Sequence, residues 1–382
     1  MIEKYLRPAK DVLQVASESF RRRPASAFIS AIVAVLVGLA IFVAGALLVA
    51  GLGLYNVAAT KKHSEAFGWF LHYTMRNSVK AHAPDDPPPP PDDSALIAQG
   101  KRYFELRCAP CHGAPGRSAD VVAGGMMPPP PGITALTREF NPKQLHWIIK
   151  HGIKMSAMPA WPAQHRDDEI WALVAYLEQA GKNPADYKNS PKEPEQNVGI
   201  GGTATLSTCF ACHGSDGNGV GGTFPKLAGL SEGYIQRSLE DYRSRRRPSG
   251  FMQPFASNLS DEDIKNFAIY FGRLERQPPQ QADADPAKVA RGAKIAELVH
   301  NTRPLPACQT CHVREYPKRL SAIPDLAGQP KDYLSTQLKL FRSGIRAGTA
   351  DAKIMGRIAR ELSDADIEGA AAYFSSLPVR SR

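Results

Sequence analysis

One pentapeptide pattern occurs three times in this chain: Cys108-Ala109-Pro110-Cys111-His112, Cys209-Phe210-Ala211-Cys212-His213 and Cys308-Gln309-Thr310-Cys311-His312. Cys-x-x-Cys-His is the sequence to which a c-type haem is attached. The two thiols bond to the porphyrin edge and the adjacent His becomes an axial ligand of the iron. The three copies use all six cysteines of the chain. Three covalently bound haem c groups are therefore expected, with His112, His213 and His312 as iron ligands. A zinc site needs four ligands, usually with a second pair at short spacing, and here the pairs lie about a hundred residues apart. A thioredoxin-type pair belongs to a βαβ unit, and no such alternation surrounds any of the three.

At 382 residues the chain has room for several domains, and the cysteine spacing divides it into three small ones. Domains of that size are poor in core by themselves. A porphyrin around which apolar side chains can pack supplies what is missing. The net charge of +10 is compatible with nucleic acid, but no nucleic-acid motif accompanies it. An acidic redox partner or anionic lipid head groups account for it better.

Residues 24–60 carry no charged side chain. One tilted transmembrane helix fits this stretch. It is too long and begins too late for a cleaved signal peptide, so an uncleaved signal-anchor is expected. Lys4, Arg7, Lys10 and Arg21–Arg23 precede it and only Lys61 and Lys62 follow closely. The positive-inside rule then puts the N-terminus in the cytoplasm and the haem domains on the periplasmic side of a bacterial inner membrane. Phe67, Phe70, Leu71 and Met75, with Trp69 and Tyr73 nearby, predict a helix lying at the membrane interface. A docking surface for a membrane partner is the alternative. His63, His72 and His82 read as solvated or interfacial. Pro87–Pro91 reads as a stiff spacer that holds the haem domains off the bilayer.

The remainder is one unit repeated three times. Each unit opens with a helical stretch before its first Cys, carrying Gly100 in the first and Gly292 in the third. Each closes with an amphipathic helix: Ile170, Leu173, Val174 and Leu177; Ile264, Phe267, Ala268 and Phe271; Ile367, Ala370, Ala371 and Phe374. Ser260 with Asp263 and Ser363 with Asp366 predict capping boxes for the last two. Arg166 stands at the corresponding place in the first, so its start must differ.

The sixth iron ligand separates electron transfer from catalysis. The second unit has Met252 alone, and the third has Met355 and His300. His300 lies on the attachment side, which leaves Met355. Met252 lies twelve residues before Ile264 and Met355 twelve before Ile367. The same count back from Ile170 selects Met158 over Met126, Met127 and Met155. Core packing is the ordinary role of such a Met, but the shared register favours ligation. His/Met ligation closes both axial positions and suits one-electron transfer.

These residues resemble the class I cytochrome c superfamily across roughly residues 94–378. The segment Gly152–Trp161 is similar to the Met-ligand loop of small monohaem members. The tandem second and third units resemble dihaem cytochromes of the c-four group, through Pro225-Lys226-Leu227-Ala228-Gly229, Pro324-Asp325-Leu326-Ala327-Gly328 and the Leu-Ser-Asp helix starts. The resemblance implies a few helices round each haem, and with the apolar stretch the expectation is an all-α fold: one transmembrane helix (27–55, after a cytoplasmic segment 1–26), an interfacial segment (56–82), a Pro-rich linker (83–93) and cytochrome c domains at 94–182, 195–276 and 286–378. It also implies that the carbonyls of Pro225 and Pro324 accept from the ligand histidines, with the first unit's counterpart somewhere in Pro128–Pro131. Val313 departs from the glycine usual after the haem His.

The leading functional expectation is a membrane-tethered carrier of single electrons. Its donor would be a quinol–cytochrome c oxidoreductase or a periplasmic dehydrogenase, and its acceptor a terminal oxidase or a soluble cytochrome. Arg237, Arg243, Arg245, Arg246 and Arg247 form a candidate docking patch or a solvated face. The second expectation is a permanent cytochrome subunit of a dehydrogenase or oxidase complex. The third is a haem enzyme or ligand sensor with one open iron, against which the lack of spare His or Cys argues.

Overall fold

The computed structural model describes residues 25–83, 85, 93–182, 206–278, 285–297, 306–312 and 322–379. The basic N-terminal segment, the Pro87–Pro91 spacer, the 184–197 linker, His300 and the Val313–Lys318 loop lie outside them. Among the described residues the secondary structure is helical, with no strand, as the sequence predicts. The chain divides into two bodies, residues 1–63 and 64–382.

In the first body, α1 spans Ala25–Gly51. Its stretch Ala27–Gly51 has a mean hydropathy of 3.0 and none of it is buried in protein. Length and composition suit a membrane span or a signal sequence alike.

The second body opens with α2 (Glu65–His82), capped by Ser64. One side of α2 is anchored, because Val79 is fully buried and Met75 packs on the same core as the first repeat. His72 and Arg76 both reach Glu139, at 2.9 and 3.3 Å. The helix preceding the proline run is thus docked on the first repeat. Trp69, Phe70 and Tyr73 remain exposed on its other side.

The first repeat contains α3 (Ser94–Tyr103), a π-helical turn over Phe104–Cys108, α4 (Ala109–His112), α5 (Val121–Gly124), α6 (Ile133–Glu139), α7 (Pro142–His151) and α8 (Asp167–Lys182). The second contains α9 (Leu206–His213), α10 (Glu232–Arg243), α11 (Gln253–Ala256) and α12 (Asp261–Arg273). The third contains α13 (Pro286–Glu297), α14 (Gln309–His312), α15 (Lys331–Arg342), α16 (Ala350–Arg360) and α17 (Asp364–Ser376). The closing helices α8, α12 and α17 bury the apolar faces read from their spacing, with Ile170, Ile264 and Ile367 almost wholly enclosed. Both predicted capping boxes form. At α8, Arg166 instead grips Asp168 at 2.8 Å and Glu169 at 2.9 Å in the first helical turn.

Opening and closing helices cross at backbone contact. A Cβ on Gly100 would lie 1.9 Å from the Ala172 carbonyl oxygen, and one on Gly292 would lie 2.0 Å from that of Gly369. Neither obstacle is a flexible side-chain end, so the helices themselves must part. Gly100→Ala and Gly292→Ala should each cost about 3 kcal/mol, the upper end of ordinary overpacking. Denaturant unfolding of the holoprotein, followed by far-UV circular dichroism, checks this.

Candidate functional site

Each Cys-x-x-Cys-His motif sits on a short helix whose His points its Nδ1 at a proline carbonyl. His213 Nδ1 donates to the Pro225 carbonyl at 2.9 Å and His312 Nδ1 to that of Pro324 at 2.9 Å. These are the partners the resemblance implied. In the first repeat the sequence left four prolines open, and the structure selects Pro131, whose carbonyl lies 2.8 Å from His112 Nδ1. A carbonyl only accepts, so Nδ1 carries the proton and Nε2 keeps its lone pair for a metal. Burial pushes the pKa of His213 and His312 down, while the bonds to Pro225 and Pro324 pull the other way. A neutral imidazole is the form that binds iron.

The second and third repeats share one continuous cavity. Cys209, His213 and Met252 line it from one repeat, and Cys308, Cys311, His312 and Met355 from the other. Met252 precedes α11 directly, whereas Met355 lies within α16. Met158 lies in the non-helical Gly152–Trp161 segment, where its N–H donates to Ser156 Oγ at 3.2 Å. It packs with Cys108 on the core of the first repeat.

Burial pushes the thiols of Cys108 and Cys212 up to about 12 and that of Cys209 up to about 11, so the unbound side chains are thiols rather than thiolates. Among the described residues no three His, Cys, Asp or Glu side chains converge on one point. A tetrapyrrole joined through thioethers needs neither thiolates nor a compact cluster. The fit to haem c rests on cysteines and an oriented His on the walls of one apolar cavity, with Met252 and Met355 also lining it.

Part of the cavity wall is strongly cationic. Arg247 is buried, with Nη2 donating to Tyr333 Oη at 3.0 Å and to Gln337 Oε1 at 3.2 Å. Burial alone would raise the Tyr234 hydroxyl, yet Arg247 and Arg346 override it and bring it down to about 7. Such a wall suits carboxylates, and Arg247, Arg346, Tyr234 and Tyr333 would hold the propionates of a haem here. Of the basic run, Arg247 is buried, whereas Arg245 and Arg246 are exposed. Besides buried Arg247, Arg237 pairs with Asp351 at 2.5 Å, Arg243 with Asp261 at 2.6 Å and Arg246 with Asp241 at 2.9 Å.

The proline loops of the two repeats clasp each other. The Lys226 N–H donates to Gln329 Oε1 at 2.9 Å, and Gln329 Nε2 returns a bond to the Lys226 carbonyl at 2.7 Å. Arg276 donates to the carbonyls of Ala228 at 2.9 Å and Ala327 at 3.0 Å. No sequence signal marked Gln329 or Arg276, because their partners lie far away in the chain. Gln329→Ala strands both backbone groups of Lys226 in a buried place and should lower stability by about 2 kcal/mol. Chemical denaturation followed by haem absorbance checks it.

A family model described as "Cytochrome C oxidase, cbb3-type, subunit III" matches residues 95–177. One described as "Cytochrome c" matches residues 201–274 and 289–378. Cytochrome c4 of Pseudomonas aeruginosa is 38% identical over 183 residues, which is 46% of this chain and 87% of that protein. The thiosulfate dehydrogenase electron acceptor of Stutzerimonas stutzeri is 35% identical over 181 residues, 46% of this chain and 82% of that protein. The crystal structure of reduced cytochrome c4 from Pseudomonas stutzeri covers 44% of this chain and 93% of its own, at 34% identity and a TM-score of 0.41. Motif, His–Pro geometry and sequence relatives converge, and the chain belongs to the class I cytochrome c family, whose members carry covalent haem c.

Proposed function

We propose that this protein is a membrane-anchored trihaem cytochrome that passes single electrons on the periplasmic side of the inner membrane. The observation that carries this reading is the threefold return of one arrangement: Cys-x-x-Cys-His with the His Nδ1 bonded to a proline carbonyl. In this reading the haems are attached at Cys108 and Cys111, Cys209 and Cys212, and Cys308 and Cys311. The axial pairs are His112/Met158, His213/Met252 and His312/Met355. Iron held between His and Met supplies a one-electron couple of raised potential. The chain's own part is to fix the ligand tautomers, exclude water with the apolar wall and neutralise the propionates through Arg247 and Arg346. The three domains follow the repeats, at 94–182, 195–276 and 286–378.

The apolar length of α1 and the basic residues before it favour an anchor with a cytoplasmic N-terminus. The exposed Trp69, Phe70 and Tyr73 of α2 suit a membrane interface. The donor is a quinol–cytochrome c oxidoreductase or a periplasmic dehydrogenase, the latter favoured by relatives named as electron acceptors of thiosulfate dehydrogenase. The acceptor is a terminal oxidase or a soluble cytochrome. A second reading, a permanent subunit of an oxidase or dehydrogenase complex, is supported by the oxidase-subunit model that matches the first repeat. Stoichiometric partners retained in mild detergent would decide for the second reading.

Pyridine haemochrome assay should give three haems per chain, and fewer would overturn the trihaem reading. Replacing Met158, Met252 or Met355 singly with Leu should each lower one haem's potential and remove its methionine–iron absorbance band. A potentiometric titration of each variant, with the other two couples unmoved, checks the ligand assignments. The protein should stay with the membrane through an alkaline carbonate wash and leave it only in detergent.

A further inference from the structure

The first and second repeats meet at a buried carboxylate that the electron-carrier reading alone does not require. Glu169, in the first turn of α8, is 3% exposed. Its Oε1 accepts from Ser249 Oγ at 2.6 Å, and its Oε2 accepts from the Gly250 N–H at 2.6 Å and from Trp161 Nε1 at 3.3 Å. Arg166 sits 2.9 Å away, and its Nη1 donates onward to the Pro248 carbonyl at 2.8 Å. Burial is the largest influence on the carboxyl and pushes it up to about 6, while Arg166 pulls it down. Donors on both oxygens and a guanidinium alongside hold it ionised at neutral pH.

What Glu169 grips matters more than its charge. Trp161 closes the loop of Met158, three residues on. Ser249 lies three residues before Met252, and its Oγ also accepts from the Met252 N–H at 3.0 Å. One carboxylate thus bonds the flanks of both candidate axial methionines, from two different repeats. The surrounding packing leaves no slack. A Cβ on Gly250 would fall 2.1 Å from the Trp161 ring, so only glycine passes there. Tyr103 Oη donates to the Gly250 carbonyl at 2.8 Å. Phe251, next to Met252, lies against Tyr103 with ring centroids 4.4 Å apart and against Trp161 at 5.7 Å.

A buried ion pair is costly, and its best-attested use is to fix register. Loose association of two domains would need only the aromatic contact. We infer that Glu169 is a positioning residue that locks the Met158 and Met252 segments against each other, making the methionine sides of the first and second haems a fixed electron-exchange contact within the chain. This rests on the trihaem reading above.

The test uses the full-length holoprotein and the variants Glu169→Gln and Ser249→Ala. Hydrogen exchange of the Gly250 amide should accelerate by about tenfold in Glu169→Gln, the factor that ~1.4 kcal/mol represents. A change on the first repeat should also shift the potential and methionine band of the second haem, and leave the third unmoved. Ser249→Ala, which sits on the second repeat, should shift the first haem in return and slow electron equilibration between the two after flash reduction. If Glu169→Gln fails to accumulate with its haems, Ser249→Ala, which removes one donor to the same carboxylate, carries the same measurements. Unchanged Gly250 exchange and unchanged first and second couples would overturn the lock. So would a shift of all three couples together, which marks general loosening. Haem count and absorbance report separately on the trihaem reading, so its failure is told apart from failure of the lock.

Discussion

Two helices reach backbone contact only where a side chain is missing, and the ends of a repeat depend on that. Gly100 lets α3 sit on the Ala172 backbone of α8, and Gly292 lets α13 sit on that of Gly369 in α17. In the first repeat the opening helix leads directly into the haem-attachment motif, and in both the closing helix follows the methionine segment. The crossing therefore sets how far apart the two sides of the haem site are held. The apolar faces of α8 and α17 then close against this frame, with Ile170 and Ile367 at their cores. Wider crossing would leave the porphyrin loosely enclosed and admit water to the iron.

Within that frame, the His–Pro bond determines what the imidazole can do. Each histidine gives its one proton to a carbonyl that can only accept, so the remaining nitrogen is committed to the metal. The residues beside two of those prolines are then used again. Lys226 and Gln329 exchange bonds between the second and third repeats, one residue after Pro225 and five after Pro324. A shift of either repeat at this junction would pull on the loop that orients its neighbour's ligand.

Much of this was legible in the sequence because it repeats or is local. The capping boxes span three residues, and the closing-helix faces follow a helical period. The shared count from each Met to its helix selected Met252 and Met355, which line the shared cavity, and Met158, which packs on the core of the first repeat. What escaped was long-range or degenerate. Four consecutive prolines look alike in sequence, and only the path of the backbone singles out Pro131. Glu169 reads as an ordinary acidic residue in a first helical turn, and its partners Ser249 and Gly250 lie eighty residues on. Five arginines in eleven residues read as a docking patch or a solvated face, and the acids that pair with Arg237 and Arg243, coming from other elements, left no local signal. The α2 helix showed its aromatic face, but Val79 on the opposite side, which ties it to the first repeat, is one apolar residue in a polar stretch.

The two junctions are chemically unlike, and the difference orders the chain. The second repeat meets the first through residues 248–251, immediately before Met252, with aromatic rings and one carboxylate. It meets the third through Lys226 and Arg247, on the side of the proline loop and the cationic wall. An aromatic contact whose one carboxylate is already matched by Arg166 suits a methionine side. A guanidinium wall suits the side where propionates gather, since carboxylates that close to each other need counter-charge to stay ionised. On the trihaem proposal, a domain so contacted would place its haem between those of its two neighbours, whichever way the electrons run.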